Sequence, residues 1–180
     1  MRTLTKWTVE EYHSMIEKGI LDHKRVELLQ GELVEMAPES PLHRYIMQNG
    51  NNYLRDLLAG VAILQEGHPI TLTQSEPEPD IAVVKLPSEK YRTRHPYAAD
   101  VLLLIEVSNT TLNYDLHDKK DVYEREGIEE YWVIDIPHKR LHVFKDLVDG
   151  KYHSLIIHTS GIISPHAFPD VEVEVEKLFG

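Results

Sequence analysis

The chain has 180 residues, no cysteine and a formal net charge of −11 at pH 7. Its length suits one buried core, so we expect a single domain over residues 1–180. The composition excludes disulfides, thiolate metal sites and cysteine nucleophiles, and the acidic charge balance argues against a broad basic surface that coats nucleic acid. The first residues are too polar for a secretory signal, and the longest apolar run, residues 101–105, is too short to cross a membrane. We therefore expect a cytoplasmic protein without a membrane partner.

In chain order, the first half predicts a helix, a hairpin, a second helix and a series of strands. Thr8 and Glu11 stand at capping-box spacing before a helical pattern that ends at Gly19. Residues 25–36 then predict two short strands that turn at Gly31. The remaining elements of this half are a helix over 42–59 and strands at 61–65, 70–73, 80–84 and 101–108.

The second half continues with one helix and several strands. A helical pattern covers about residues 115–126 and is closed by Gly127. The predicted strands are 131–135 and 141–145, which form a hairpin, then 152–159, and the strictly alternating segment 171–176, which should be an edge or half-exposed strand. Because strands dominate and helices stand before and between them, we predict an α/β (α+β) fold in which a mixed sheet is flanked by helices.

One segment is basic in an otherwise acidic chain. It contains Lys85, Lys90, Arg92, Arg94 and His95, with Glu89 as the opposing charge. The segment could contact a phosphate backbone, or it could be an ordinary solvated loop. The sequence leaves both interpretations open.

Two carboxylates stand where the pattern asks for apolar residues. Asp80 directly precedes the apolar segment 81–84, and Glu106 interrupts the apolar run 101–107. Such a run is typical of a central strand that is covered on both faces. An ionised carboxylate in that position is costly unless a charged or hydrogen-bonding group meets it.

Lys119 is the candidate partner for the buried acid. On a helical projection, Leu116, Val122 and Tyr123 form the apolar stripe of the helix that follows, and Lys119 projects near the middle of this stripe. A lysine on a buried helix face, directly after a strand with a buried Glu106, suggests that the two charges compensate each other.

Two carboxylates from neighbouring strands together with a lysine suit a hard, oxygen-preferring cation such as Mg²⁺. We expect Asp80, Glu106 and the main-chain carbonyl of Val107 to hold this metal, which would activate a water molecule against a phosphodiester. Lys119 would orient that water or offset developing negative charge. The alternative is a structural ion pair between Lys119 and Glu106, with Asp80 capping a turn.

The chain also resembles the Uma2 family, a family abundant in cyanobacteria, in three segments, residues 76–84, 104–115 and 119–135. Members of this family are similar to the restriction-endonuclease-like nucleases of the PD-(D/E)XK superfamily. The hairpin 25–36 resembles the family's N-terminal segment, so the resemblance covers most of the chain. It implies a restriction-endonuclease-like mixed β-sheet flanked by helices, with Asp80 and Glu106 as the metal carboxylates.

The resemblance bears on two further residues and shows one departure. The superfamily's lysine normally stands two residues after the second acid, where this chain has Ser108. Relatives in the family carry the lysine on the following helix, which matches Lys119. Glu27 matches an upstream acid that some related nucleases add to the site; the alternative for Glu27 is an exposed strand glutamate.

The implied function is a Mg²⁺- or Mn²⁺-dependent endonuclease that hydrolyses phosphodiester bonds in DNA. The alternative is a catalytically inactive nucleic-acid- or protein-binding module on the same fold. Most of the histidines are expected at the surface or in hydrogen bonds, although His43 could face the cleft. An exposed Tyr131 or Trp132 could support contact with a second copy in a homodimer.

Overall fold

The computed structural model describes residues 5–180. The N-terminal elements of the described chain are α1 (Val9–Glu17), β1 (Val26–Leu29), β2 (Glu32–Glu35) and α2 (Pro41–Leu57). Thr8 caps α1 in a capping box with Glu11, as predicted. β1 and β2 pair in an antiparallel hairpin, and Ser40 caps α2 by accepting a hydrogen bond from the His43 amide.

A six-stranded sheet forms the centre, and its strands are, in spatial order, β3 (Ile63–Glu66), β4 (Ile81–Val84), β5 (Val101–Ser108), β6 (Tyr131–Asp135), β7 (Arg140–Val148) and β8 (Lys151–His158). The neighbours β5 and β6 are parallel, and the other four pairs are antiparallel. A parallel pair needs a crossover connection. Here the crossover is a helical segment made of α3 (Leu112–Tyr114), a π-helical turn (Asp115–Lys119) and α4 (Lys120–Arg125). This arrangement is the mixed sheet flanked by helices that the sequence predicts.

Both faces of the sheet are covered, so β5 is buried along its length. Leu103, Ile105 and Val107 point to a core shared with α2 and the C-terminal segment. Leu104 points to the opposite core, under the 112–125 helical segment. Because side chains alternate along a strand, Glu106 faces the same side as Leu104, toward that helical segment.

Two predicted strands are wrong in detail. Residues 70–73 form no strand; Thr71 makes an isolated bridge to Tyr97, and the alternating apolar side chains there fill the core from an irregular segment. The segment 171–176 is not an edge strand over its whole length. Only β10 (Val173–Glu174) is extended, paired with β9 (Ile162–Ile163), and a 3₁₀ helix (Val175–Phe179) follows.

The aromatic pair on β6 is buried rather than exposed. Tyr131 and Trp132 both have 0% exposure and lie in the two opposite cores. Neither ring can therefore support a homodimer contact, which corrects that expectation. Among residues 5–180, no helix combines the length and the apolar character that a membrane crossing requires.

Candidate active site

A cavity of about 330 Å³ opens between the β1–β2 hairpin, the start of α2 and the end of β5. Its lining comes from residues 34–40, from Val107 and from residues 109–111, and it includes the charged residues that the sequence singles out, Glu27, Asp80, Glu106 and Lys119. The cavity therefore brings elements from distant parts of the chain to one place.

The register of the central sheet brings the two predicted metal carboxylates together. Ile81 pairs with Ile105 across the antiparallel strands β4 and β5, and one further step sets Asp80 opposite Glu106. The Asp80 amide also lies 3.4 Å from Oε2 of Glu106. Like charges directly opposite each other destabilise a sheet, so this pairing needs a compensating positive charge.

Asp80 is anchored through one of its two carboxylate oxygens. Oδ2 accepts a 2.7 Å hydrogen bond from the Val107 amide and lies 3.2 Å from Nε2 of His43. Within the described residues, both side-chain contacts of Asp80 involve Oδ2, which leaves Oδ1 of this cavity-lining residue without a hydrogen-bond partner. The main-chain group of Val107 that contacts the acid is its amide; a ligand role for its carbonyl stays a prediction.

Lys119 lies inside the protein and points to the acids. It is 5% exposed, and its Nζ lies 3.0 Å from Oε1 of Glu106 and 3.5 Å from Oε2 of Glu27. Lys119 is the last residue of the π-helical turn, and such turns are frequent at functional sites. The buried position of Lys119 agrees with the helical projection, whereas periodicity does not indicate the π-helical turn.

Asp115 opens the same π-helical turn and is also buried. Its carboxylate accepts hydrogen bonds from the hydroxyls of Ser108 and Thr111, and its main-chain carbonyl accepts one from the Tyr131 hydroxyl at 3.0 Å. These bonds hold the distorted turn against the end of β5. Ser108 thus donates a hydrogen bond to an aspartate of the helical segment that carries Lys119.

Glu27 is buried, not an exposed strand glutamate. It is 2% exposed, and its carboxylate accepts 3.0 Å hydrogen bonds from the Tyr114 hydroxyl and the Glu78 amide. Together with the 3.5 Å contact to Lys119, these bonds fix Glu27 beside the lysine that also contacts Glu106. The hairpin thus supplies a third acid to the wall of the cavity.

His43 and Tyr123 also contact the acids. The sequence indicates only that His43 could face the cleft, and it does not predict the contact of Tyr123. His43 lies between two acids, with Nε2 at 3.2 Å from Asp80 and Nδ1 at 3.4 Å from Oε1 of Glu39. Burial lowers its pKa, but the hydrogen bond and charge of Asp80 outweigh this, and the pKa is raised. Tyr123 donates a hydrogen bond to Glu106, although its place in an apolar stripe indicates only core packing.

Other histidines make carboxylate contacts away from the cavity. His13 Nε2 lies 2.7 Å from Glu76, and His138 Nδ1 lies 2.9 Å from Asp135. These contacts agree with the expectation that most histidines are at the surface or in hydrogen bonds.

The structure does not bring the basic segment to the cavity. Lys85, Lys90, Arg92 and Arg94 follow the far end of β4, about 17 Å from Asp80 at the usual rise of a strand, and none of them lines the cavity. Asp100 also neutralises part of this charge, since Arg94 contacts it at 2.7 Å and Lys90 at 3.5 Å. Nucleic-acid binding by these residues remains a prediction.

One lysine has to balance several acids in this site. Burial raises the pKa of Glu106 well above its ordinary value; Lys119 works in the opposite direction, and Asp80, Asp115 and Glu27 raise the pKa further. Burial lowers the pKa of Lys119, but the surrounding carboxylates outweigh it and keep the pKa well above its ordinary value. The amine is therefore a permanent cation, and the site still carries an excess of negative charge.

This donor set fits a hard divalent cation of the Mg²⁺ type. Among residues 5–180, no three His, Cys, Asp or Glu side chains converge closely enough to enclose a metal ion. A closed cage is not what Mg²⁺ requires, because it is usually held by one or two carboxylates and keeps several waters. The uncontacted Oδ1 of Asp80 and the unbalanced charge around Glu106 are the features that such an ion would satisfy.

The mixed sheet and its crossover helix define the class of fold, an α/β (α+β) domain in which a mixed sheet is flanked by helices. In agreement, the chain resembles the crystal structure of a "putative nuclease belonging to DUF820" from Anabaena variabilis, with a TM-score of 0.65 and 14% sequence identity over 86% of this chain and 89% of that one. The family model described as "Uma2: Putative restriction endonuclease" matches residues 9–176. The chain therefore belongs to the Uma2 family. No curated protein matches it.

Proposed function

We propose that this protein is a Mg²⁺- or Mn²⁺-dependent endonuclease that hydrolyses phosphodiester bonds in DNA. One observation supports the proposal: Asp80, directly before β4, lies opposite Glu106 on β5, and the buried ammonium of Lys119 contacts Glu106 in the lining of a cavity. Carboxylates directly opposite each other destabilise a sheet, and the burial of Glu106 adds to that cost. A catalytic metal site is a reason to keep them.

In this proposal, Asp80 and Glu106 hold the divalent ion, with the Val107 carbonyl as a further ligand. A bound divalent ion would polarise the phosphodiester and lower the pKa of a water molecule. His43 and the Val107 amide fix Oδ2 of Asp80, so that Oδ1 remains available to a metal ion. The acids are thereby oriented before a substrate arrives, which is what efficient electrostatic stabilisation requires.

Lys119 acts as a charge and a hydrogen-bond donor, not as a base. Its pKa is raised, so the amine stays protonated near neutral pH. An ammonium has three donors; two are directed to Glu106 and Glu27, and the third can reach a phosphoryl oxygen or the attacking water. Glu27 then positions the lysine, and Tyr114 in turn fixes Glu27.

The test combines cleavage with metal binding. Purified protein is incubated with a mixed pool of labelled DNA in Mg²⁺, Mn²⁺ or EDTA, and Mn²⁺ binding is measured by titration calorimetry. We expect metal-dependent cleavage that Asp80→Asn and Glu106→Gln each reduce at least a hundredfold, and weaker Mn²⁺ binding in both variants. Asp56→Asn, an exposed acid on α2, is the matched control and should behave like the wild type.

The alternative is a catalytically inactive nucleic-acid- or protein-binding module on the same fold. It is favoured by the 3.0 Å contact of Lys119 with Glu106, since a purely structural ion pair would make the same contact. This alternative predicts that well-folded protein shows no heat of Mn²⁺ binding in the calorimeter and does not cleave DNA. Either Mn²⁺ binding or cleavage that depends on Asp80 rejects it.

We further propose a homodimer, formed through the outer edge of β8 rather than through the aromatic residues of β6. Leu155, Ile156 and Ile157 are 51%, 39% and 49% exposed on this outermost strand. Residues 152–157 of this strand include no Asp, Glu, Lys or Arg, and an uncharged apolar stretch of edge strand is a template for strand pairing. Antiparallel pairing of β8 with itself satisfies two-fold symmetry. Light scattering should give a dimer that Ile156→Lys converts to a monomer; a monomeric wild type rejects this proposal.

A further inference from the structure

The groups proposed to react lie inside a cavity rather than on an open surface. Glu106 and Lys119 expose 3% and 5% of their surface, and Asp80 exposes 19% of its side chain. The cavity volume of about 330 Å³ is near the lower end of small-ligand pockets, about 300–1,000 Å³. A phosphodiester therefore has to enter the cavity to meet these groups.

The two walls of the cavity are tied to each other. Nδ2 of Asn109, after β5, donates a 3.1 Å hydrogen bond to Oγ of Ser40, the residue that caps α2. A DNA duplex is a stiff rod with a persistence length of about 50 nm, so its backbone does not bend locally into such a space without deformation. A flexible single strand can direct one phosphate between the walls.

The charge of the cavity disfavours a duplex as well. Seven of the twenty lining residues carry a carboxylate, and two, Arg25 and Lys119, carry a permanent positive charge. Duplex DNA carries one negative charge per about 1.7 Å of its axis, against about 3.4 Å for each strand. Repulsion by the acidic rim is therefore greater for the duplex than for a single strand, even with a divalent ion bound.

Arg25 is the cation available for a second substrate phosphate, next to the one that the third donor of Lys119 can reach. Lys119 is engaged by Glu106 and Glu27. The Arg25 side chain is exposed at the cavity wall, and among the described residues its guanidinium makes no ion pair and no hydrogen bond. An arginine fork can bind a phosphate through two donors.

We propose that the substrate of this cavity is single-stranded DNA, and that Arg25 binds a backbone phosphate next to the one that is cleaved. The proposal rests on the proposed nuclease function and specifies its substrate class. It assigns the phosphate contact to the hairpin side of the cavity.

The test compares one labelled oligonucleotide as a single strand and as a blunt duplex. In the cleavage arm, with Mg²⁺ or Mn²⁺, the wild-type protein should cut the single strand at least tenfold faster than the duplex, and Asp80→Asn controls for contaminating nucleases. Equal or faster cleavage of the duplex overturns the proposal.

The binding arm measures fluorescence anisotropy in Ca²⁺, with the oligonucleotides checked for cleavage afterwards. Arg25→Ala should weaken binding of the single strand about tenfold and reduce the slope of log K against log salt by about 0.7, the value for one phosphate contact. Arg55→Ala, an exposed arginine on the last turn of α2, is the matched control and should change neither quantity. An unchanged affinity in Arg25→Ala overturns the assignment of Arg25.

The two arms separate this inference from the proposed hydrolysis. If neither DNA is cut but the single strand binds better in an Arg25-dependent manner, the hydrolytic function fails and the assigned ligand stands. If neither DNA is cut or bound, both proposals fail.

Discussion

The hydroxyl of Tyr123 donates a 2.8 Å hydrogen bond to Oε1 of Glu106, the same oxygen that the Lys119 ammonium contacts at 3.0 Å. The Tyr123 ring packs edge-on against Tyr131, with 5.0 Å between ring centroids. Burial raises the pKa of Tyr123 well above its ordinary value, so the phenol remains protonated and stays a donor. One helical segment therefore supplies both donors to this oxygen of the buried carboxylate, and each of them can be removed separately.

Tyr123→Phe tests the neutral donor. The change keeps the packed ring but deprives a buried carboxylate of a hydrogen bond, which costs about 1.5–3 kcal/mol for a charged partner. We expect the free energy of unfolding in urea to fall by that amount. Tyr152→Phe is the matched control, because the Tyr152 hydroxyl donates to a neutral carbonyl, that of Ile128, at 2.7 Å, and such a bond contributes about 0.5–1.5 kcal/mol. Equal losses in the two variants would contradict a special role for the Glu106 contact.

Lys119→Met tests the charged donor. Its removal leaves Glu106 and Glu27 without their shared cation, and breaking a buried ion pair costs about 3–5 kcal/mol. The double variant Lys119→Met with Glu106→Gln removes both charges, so it should regain a large part of this loss. A double-mutant cycle from urea unfolding measures the coupling. Additive effects would show that the two groups do not depend on each other.

The double variant also separates stability from activity. It should unfold less readily than Lys119→Met alone, but it should have no metal-dependent cleavage, because it lacks a metal carboxylate. Cleavage at the wild-type rate by a stable double variant would remove both residues from the proposed mechanism.

Glu130 gives a pH-dependence outside the candidate site. Burial raises its pKa above the ordinary 4.5, although the His166 amide and the Trp132 indole N–H donate to it. The folded chain therefore binds this proton more tightly than the unfolded chain, so the associated stability is present below pH 4.5 and is lost as the pH rises through the folded pKa. Glu130→Gln should remove this loss. Thermal unfolding between about pH 4 and pH 7 measures this effect. The melting temperature of the variant should rise relative to that of the wild type as the pH increases. A difference in melting temperature that does not change with pH would contradict the assignment.

The central strand and its charged residues are predictable from the sequence because charge stands out in an apolar pattern. Residues 101–108 were predicted as a strand, and they form β5 with the same bounds. Glu106 interrupts this strand, and Lys119 stands on an apolar helix face, so local periodicity alone marks both. The structure brings them within 3.0 Å because the crossover helix packs on the face of β5 that carries Glu106.

The missed contacts depend on long-range geometry, which periodicity does not encode. His43 reaches Asp80 across 37 positions of the chain, and a single histidine at a helix start gives no sign of this. Arg94 is neutralised by Asp100 rather than by a nearer acid, so the basic segment is less charged than its composition indicates. Alternation predicted a strand at 70–73, but alternation specifies burial, not a pairing partner, and no strand lies beside those residues in the described sheets.

The hairpin that carries Glu27 depends on Gly31, and this gives the last prediction. Gly31 has a φ of 75°, and an added Cβ would lie 2.8 Å from Cβ of Lys6 and 3.0 Å from the Trp7 carbonyl oxygen. Gly60 has a similar φ of 79°, but in the described part of the chain an added Cβ there meets nothing within 4 Å. Gly60→Ala should therefore lower the free energy of unfolding only by the cost of a left-handed backbone at an alanine, about 1–2 kcal/mol.

Gly31→Ala should cost more than Gly60→Ala, because its Cβ also forces the backbone of residues 6 and 7 away from the hairpin. Urea unfolding of the two variants measures the difference. Because the displaced hairpin holds Glu27 beside Lys119, Gly31→Ala should also reduce metal-dependent cleavage, whereas Gly60→Ala should leave it unchanged. Equal stability losses with equal activities would mean that the contact of Gly31 with residues 6 and 7 does not position the hairpin.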